Sequence, residues 1–328
     1  LLPKKLNMKI LGIGNAIVDV ICKVDESFIN QNNLTKSTMK LFFDENEFKN
    51  LLTNLKIEKT VSGGSVANSI VGISQLGNEA GFIGKISDDE FGSNYEEGLK
   101  KENVKYFYSK KKETIPTGTC LILITPDSER TMVTYLGTAG KISDKDIDFD
   151  AIKKSEILFL EGYLWDEGEP KKAFEKAILN SNKVAMSLSD LFCVERHKPH
   201  FLDLVKNKLD ITFANEQEII SLIDAKEFKE VIDFSKKTKK LIIITRGEKG
   251  AVAINGDEVT ECSAEKNLKI KDLTGAGDLF AGGFLHGNIN GKTLKESLEK
   301  GTEMSSKIIQ TIGARLNLWL DFFKDNLN

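Results

Sequence analysis

Between residues 143 and 257 short apolar runs alternate with longer stretches in which apolar residues recur at helical spacing. ILFLEG, KVAMSLS, DITFAN and LIIITRG read as strands, and the stretches around 171–181, 200–207 and 216–237 read as helices. This alternation predicts a mostly parallel sheet with helices on both faces, in which ligands sit at the carboxyl ends of the strands. Glu161, Asn215, Thr245 and Gly247 fall at those ends.

The flanking regions carry different patterns. MKILGIGNAIVDVICKV, residues 8–24, predicts a buried strand, a tight glycine turn and a second strand rich in Ile and Val. A stripe at Val66, Ile70, Ile73 and Leu76 predicts a helix, GFIGKI a short core strand, and DDEFGSNYEEGLKKENV a helix with an acidic N-terminus. TGTCLILITPDSERTMVTYLG, residues 117–137, holds two strands around Pro126, Asp127, Ser128 and Glu129, a hairpin signal. With residues 19–24 and 39–43 it is expected to form a small sheet apart from the main one, a lid built from segments near 17–45 and 107–137 of one domain spanning 1–328. Two helices are expected over 294–312 and 315–327, covering one face of the main sheet.

Composition narrows the class. A chain of 328 residues is long enough for one large α/β domain or two smaller ones. Lys and Arg number 46 against 49 Asp and Glu, which excludes a dominant nucleic-acid footprint. No apolar run approaches the roughly 20 residues of a membrane span. Cys22, Cys120, Cys193 and Cys262 lack metal or redox-pair spacing, so buried free thiols in a reducing compartment are expected. Leu1 to Asn7 carries two lysines and no segment long enough for a signal peptide, and with Met8 following, part of it is read as a start-site artefact. A cytoplasmic location is the expectation.

The chemistry concentrates in KDLTGAGDLFAGGFLHG, residues 271–287. Gly275, Ala276 and Gly277 let the backbone approach a bulky anion, and the helix that follows aims unpaired N–H groups and its positive dipole end there. Asp278 beside such a site is costly unless it takes a proton from an attacking hydroxyl, which points to phosphoryl transfer. The rival reading is a glycine turn with an N-cap aspartate. Asp19, a lone acid in an apolar strand, is either a solvated edge residue or an acceptor for ligand hydroxyls. Gly63 and Gly64 permit close ligand approach, and Asn68 on the first helical turn offers both donor and acceptor, as sugar hydroxyls require; a plain helix start with a capping serine competes. Asn215 and Glu218 in NEQE suit either a hydrated Mg²⁺ with nucleotide phosphates or a capping box. Gly12 and Gly14 invite a dinucleotide fingerprint, but Ile17 stands where its third glycine belongs.

Four of these motifs agree in identity and order with one family. DLTGAGD, GGSVAN, NEQE and GNAIVD make the chain resemble the ribokinase-like carbohydrate and nucleoside kinases of the PfkB family, its adenosine-kinase branch most of all, over nearly its whole length. The resemblance implies an α/β three-layer sandwich with a mostly parallel central sheet and a small β-sheet lid. It implies ATP as phosphoryl donor, Mg²⁺, possible activation by K⁺, and a nucleoside or sugar acceptor, in a monomer or a homodimer joined through the lid. Asp278 would then be the base and Gly275 to Gly277 the anion hole. Asn215 and Glu218 would handle phosphate and Mg²⁺, Thr245 and Gly247 would line the nucleotide site, and Arg130 would reach the phosphates. Asp19, Gly63, Gly64, Asn68 and Glu161 would serve the acceptor, and Asp272 the monovalent cation. Leu273 replaces the usual Thr, and Gly140 stands where many relatives have Asn. Phe192, Tyr163 and Trp165 are candidates for stacking on a base, and Lys110 to Lys112 for holding a sugar phosphate.

Overall fold

The computed structural model describes residues 8–127, 129–165 and 168–316. The leader before Met8, and the helix expected over 315–327 except for its first two residues, lie outside them. The N-terminal third holds β1 (Met8–Ile13), β2 (Ile17–Lys23), α1 (Glu26–Gln31), β3 (Met39–Phe42), α2 (Glu45–Thr53), β4 (Ile57–Ser62), α3 (Ser65–Gln75), β5 (Ala80–Ile83), α4 (Glu90–Lys101) and β6 (Lys105–Tyr106). There follow β7 (Gly118–Ile124), β8 (Arg130–Tyr135), α5 (Phe149–Lys154), β9 (Ser155–Glu161), α6 (Glu169–Leu179), β10 (Val184–Ser187), α7 (Leu191–Asp203) and β11 (Ile211–Asn215). The last third holds α8 (Glu216–Ile223), α9 (Phe228–Thr238), β12 (Leu241–Thr245), β13 (Ala251–Asn255), β14 (Glu258–Cys262), α10 (Ala276–Ile289) and α11 (Leu294–Ile308).

Among the described residues nine strands make the central sheet, in the order β14-β13-β12-β11-β10-β9-β1-β5-β6. Pairing is parallel except along β12-β13-β14, an antiparallel edge hairpin that the sequence pattern did not announce. Successive residues of each strand face opposite layers. Ile10, Ile157 and Phe159 pack with Val66, Phe280 and Leu298 of α3, α10 and α11. Leu11, Leu158 and Leu160 pack with Ile152, Phe174, Phe201, Ile219 and Val231 of α5 to α9. Burial on both faces is why these strands carry unbroken apolar runs.

The second sheet, as described, runs in the order β3-β8-β7-β2-β4. It contains the expected hairpin, β7 antiparallel to β8, and also β4, which was not anticipated because its first three residues are exposed and mostly polar. One face, with Val18, Val20, Leu121 and Val133, packs on Ile29 of α1, Phe48 of α2 and Tyr95 of α4. On the other face the register aligns Asp19 with Cys120, Ile21 with Ile122, Ile122 with Met132, and Ile124 with Arg130.

Two helices differ from their expected bounds. α7 begins well before residue 200, because the Asp190 carboxylate caps it by accepting from Phe192 N at 3.1 Å. It bends at His197, two residues ahead of Pro199, whose ring cannot fit an unbroken helix. α11 stops at Ile308 rather than 312. The four cysteines are buried and none is in a disulfide among the described residues, and no described helix is long and apolar enough to cross a membrane.

Candidate active site

Gly275 precedes and caps the helix α10, its φ of 78° left-handed. A Cβ there would lie 2.8 Å from Ala314 Cα, so glycine is required by conformation and by space alike. Open space surrounds the position a Cβ would take on Gly277. Ala276 N turns back to Leu273 O at 3.2 Å, and the helical pattern supplies no acceptor for the N–H groups of Gly277 and Asp278. Asp278 is held by the start of α3: Ser65 Oγ donates to one carboxylate oxygen at 2.7 Å and Asn68 Nδ2 to the other at 2.9 Å. Ser69 Oγ donates to its carbonyl at 2.8 Å. Burial pushes its pKa from 3.8 up to about 6, against the pull of the Asn68 and Ser65 donors and the Arg315 charge.

The acceptor-side residues converge on the same point. Gly64, with φ 97°, lets the chain turn into α3; a Cβ there would meet Asn15 O at 2.1 Å. The Asp19 carboxylate sits against Gly63, its Oδ2 only 2.4 Å from where a Cβ would lie. Burial raises the Asp19 pKa to about 7, with Arg315 opposing and Asp278 adding to the rise. Glu161 is brought near but faces inward: it is fully buried, accepting from Asn15 N, Asn15 Nδ2 and Val66 N, each at 2.9 Å. Burial likewise lifts it to about 7. Its work is to clamp the β1–β2 turn to the head of α3, so its place is underneath the site rather than on its surface.

At the head of α10 a cavity of about 450 Å³ opens at the carboxyl ends of β10, β11 and β12 and reaches Ser65 of α3. Asn215, Glu218 and Thr245 line it together with Gly275, Gly277 and Asp278. Gly247, at φ 56°, lies exposed two residues past Thr245 and outside that lining. Asn215 and Glu218 form the capping box: Glu218 N donates to Asn215 Oδ1 at 2.8 Å and Asn215 N to Glu218 Oε2 at 3.0 Å. Capping and cavity lining are thus both true of this pair. Burial raises Glu218 to about 7. No cluster of three or more His, Cys, Asp or Glu side chains suited to a metal occurs among the described residues. The pair therefore fits a hydrated Mg²⁺ that keeps its waters and rides on a ligand's phosphates, not a fully protein-ligated ion.

Tyr163 also lines the cavity, its ring 5.9 Å from that of the exposed Phe192. Trp165 is instead core, against Phe174 and Phe201. Arg130 of β8 reaches the anion turn's approach, where it forms an ion pair with Asp272. The Asp272 carboxylate also accepts from Thr274 N at 3.1 Å, Thr274 Oγ1 at 2.7 Å and Gly313 N at 2.7 Å. A guanidinium and three further donors leave that carboxylate a poor fit for a monovalent cation. Lys110 and Lys111 are engaged with Asp88 and Asp146, away from the cavity. Arg315, which no motif singled out, lies half-buried within reach of Asn68, donating from Nε to its Oδ1 at 3.3 Å.

A model of the pfkB family of carbohydrate kinases matches residues 10–320. The chain belongs to this family. Among solved structures, the adenosine kinase from Sinorhizobium meliloti is 33% identical, with a TM-score of 0.87 over 98% of this chain and all of that one. A probable sugar kinase from Rhizobium etli CFN 42 is also 33% identical, with a TM-score of 0.86 over 98% of this chain and 99% of that one. Adenosine kinase 2 of Arabidopsis thaliana is 25% identical over 93% of this chain and 94% of its own length. The protein is accordingly a pfkB-family kinase of the adenosine-kinase-like branch, with the ribokinase-like α/β fold that the sequence predicted.

Proposed function

We propose that this kinase moves the γ-phosphoryl group of ATP to the primary hydroxyl of a ribose-containing nucleoside, adenosine first among them. The observation that carries the reading is Asp278: a carboxylate at the head of α10, beside the Gly275 to Gly277 turn, held by two donors from α3 and bordering a 450 Å³ cavity. With a pKa near 6 it is ionised at neutral pH yet basic enough to receive a hydroxyl proton as the oxygen attacks phosphorus. The first amides of α10 meet charge on the transferring group. Asp19 accepts from other acceptor hydroxyls, while Asn215, Thr245 and Glu218 serve the donor. Asn215 and Glu218 would hold a hydrated Mg²⁺ arriving with ATP, which would supply charge neutralisation at the phosphates. Closure of the small sheet excludes water, which otherwise would consume ATP.

A nucleoside is favoured over a free sugar by the face of the small sheet that carries Asp19. On that face Ile21 and Met132 stay partly exposed above the buried Ile17, Cys120 and Ile122, an apolar surface suited to a base beside a hydroxyl acceptor. A sugar phosphate is disfavoured because Lys110 and Lys111 are paired elsewhere. The competing reading, a sugar kinase, draws on the equally similar Rhizobium etli protein. ADP release should be followed with adenosine, inosine, ribose, fructose and fructose phosphate as acceptors. Adenosine is expected to give a kcat/KM about 10² or more above ribose, the base contributing a few kcal/mol. Preference for ribose or fructose would overturn the acceptor, and nucleoside binding without ADP release would make the protein a non-catalytic binder.

A further inference from the structure

We propose that Arg315 is a positioning residue of the acceptor site, whose guanidinium fixes the Asn68 amide so that Nδ2 is presented to Asp278 and whose charge keeps that carboxylate ionised. This rests on the reading of Asp278 as the base. An asparagine amide has two chemically opposite ends, and an isolated one turns over easily. Here Asn68 lies between a cation and an acid: Oδ1 receives Arg315 Nε at 3.3 Å while Nδ2 donates to Asp278 Oδ2 at 2.9 Å. Reversing the amide would set an oxygen against the carboxylate and an NH₂ against the guanidinium, so only one orientation survives.

The backbone delivers Arg315 deliberately. Beyond α11 the chain folds back along the approach to the anion turn, Lys271 N donating to Ile309 O at 2.8 Å and Gly313 N to Asp272 Oδ2 at 2.7 Å. It then crosses to α3, where Gln75 Nε2 holds Leu316 O at 3.0 Å. Ala314 closes against Gly275, and the next side chain enters the gap between the two catalytic helices. Arg315 is half-buried, yet its Nη2 is shut off from solvent with no hydrogen-bond partner among the described residues, which is expensive for a charged group. A merely structural strap has no need of such a group, since an apolar side chain would fill the space at lower cost. The ionisable groups facing Asp278 and Arg315 are Asp19 from β2, Glu161 from β9, Glu102 at the end of α4 and the uncharged phenols of Tyr95 and Tyr163, so Arg315 is the cation among acids. Its charge opposes the burial that raises both Asp278 and Asp19.

The test is a ¹³C carboxyl NMR titration of the whole chain labelled at aspartate, with the Asp278 signal assigned through Asp278→Asn. Arg315→Met is expected to move the Asp278 titration upward by about one pH unit, the size usual for losing a nearby opposite charge. The acid limb of kcat/KM for the acceptor should move with it, and KM for ATP should stay put. Arg315→Lys, which keeps the charge, should return the titration close to the native position. If Arg315→Met does not fold, Arg315→Gln retains a donor for Asn68 without the charge and should show the same upward movement. An Asp278 titration that is identical in the native and neutral variants, or a lysine variant that behaves like the neutral ones, overturns the proposal. The NMR arm needs no turnover, so absence of any phosphorylated acceptor would refute the proposed activity while the titration still decides Arg315.

Discussion

Replacing Asp278 by Asn separates a catalytic carboxylate from a capping one, because the two roles predict opposite changes in stability. Asn keeps the shape and finds partners in the native site: its Oδ1 faces Asn68 Nδ2, and its NH₂ donates to Ser65 Oγ, a hydroxyl able to accept as well as give. What it removes is the charge. Burial lifts the acid from 3.8 to about 6 in the fold, so above pH 6 the native protein carries an ionised group that it would rather protonate. At 1.36 kcal/mol per pH unit that gap is worth roughly 3 kcal/mol, and roughly 1 to 2 after allowing for the charge-assisted hydrogen bonds that Asn forgoes. The raised pKa stabilises the fold below 3.8, and that contribution is lost as pH rises through 6. Asp278→Asn should therefore be more stable than the native chain at pH about 7.5 by a few degrees in Tm, and lose that advantage near pH about 4. Turnover should fall about 10²-fold or more, with acceptor KM little changed. Calorimetry across this pH range and a steady-state ADP assay read both effects. A variant that is less stable at neutral pH, or that turns over at the native rate, refutes the base assignment.

Other outcomes follow from the same geometry. Gly275→Ala forces a left-handed alanine, costing about 1–2 kcal/mol before its Cβ meets Ala314, and should lower both Tm and kcat. Unchanged kcat would show that the turn does not hold the transferring group. Asp19, Glu161 and Glu218 near 7, with Asp278 near 6, mean that the native state binds more protons than the unfolded chain at mildly acid pH. Denaturant unfolding without ligands should accordingly show stability falling as pH rises from about 5 to about 7.5; a rise would mean that these acids are not protonated in the fold. Because Arg130 already occupies Asp272, exchanging K⁺ for another monovalent cation at constant ionic strength should leave turnover unchanged. A rate that follows K⁺ would show that the cation displaces the guanidinium.

Much of the architecture is local information. Unbroken apolar runs at β9, β10, β11 and β12, spaced by amphipathic helices, identify a sheet buried on both faces, since nothing else in water tolerates such strands. The DLTGAGD and GGSVAN turns are legible for the same reason: a left-handed φ and a backbone approach with no room for Cβ leave glycine as the residue that fits. Edge elements were harder to see. β4 begins in exposed, mostly polar residues and gains its strand form by pairing with β2. The start of α7 depends on one cap at Asp190 that overrides the Pro199 signal farther along.

The residues around the carboxylates divide along a similar line. Sequence alone determined that a glycine-lined helix start carries an acid, that an asparagine opens α3, and that the whole belongs to an α/β kinase, because each of those is written in a few adjacent residues. It did not determine that Glu161 points inward, that Arg130 pairs with Asp272, or that Arg315 stands behind Asn68. Those contacts join segments 95, 142 and 247 residues apart, so the side chains become neighbours only when the sheets and helices have packed. Charge and burial are properties of that packing, and the raised pKa of Asp278 exists nowhere in the unfolded chain.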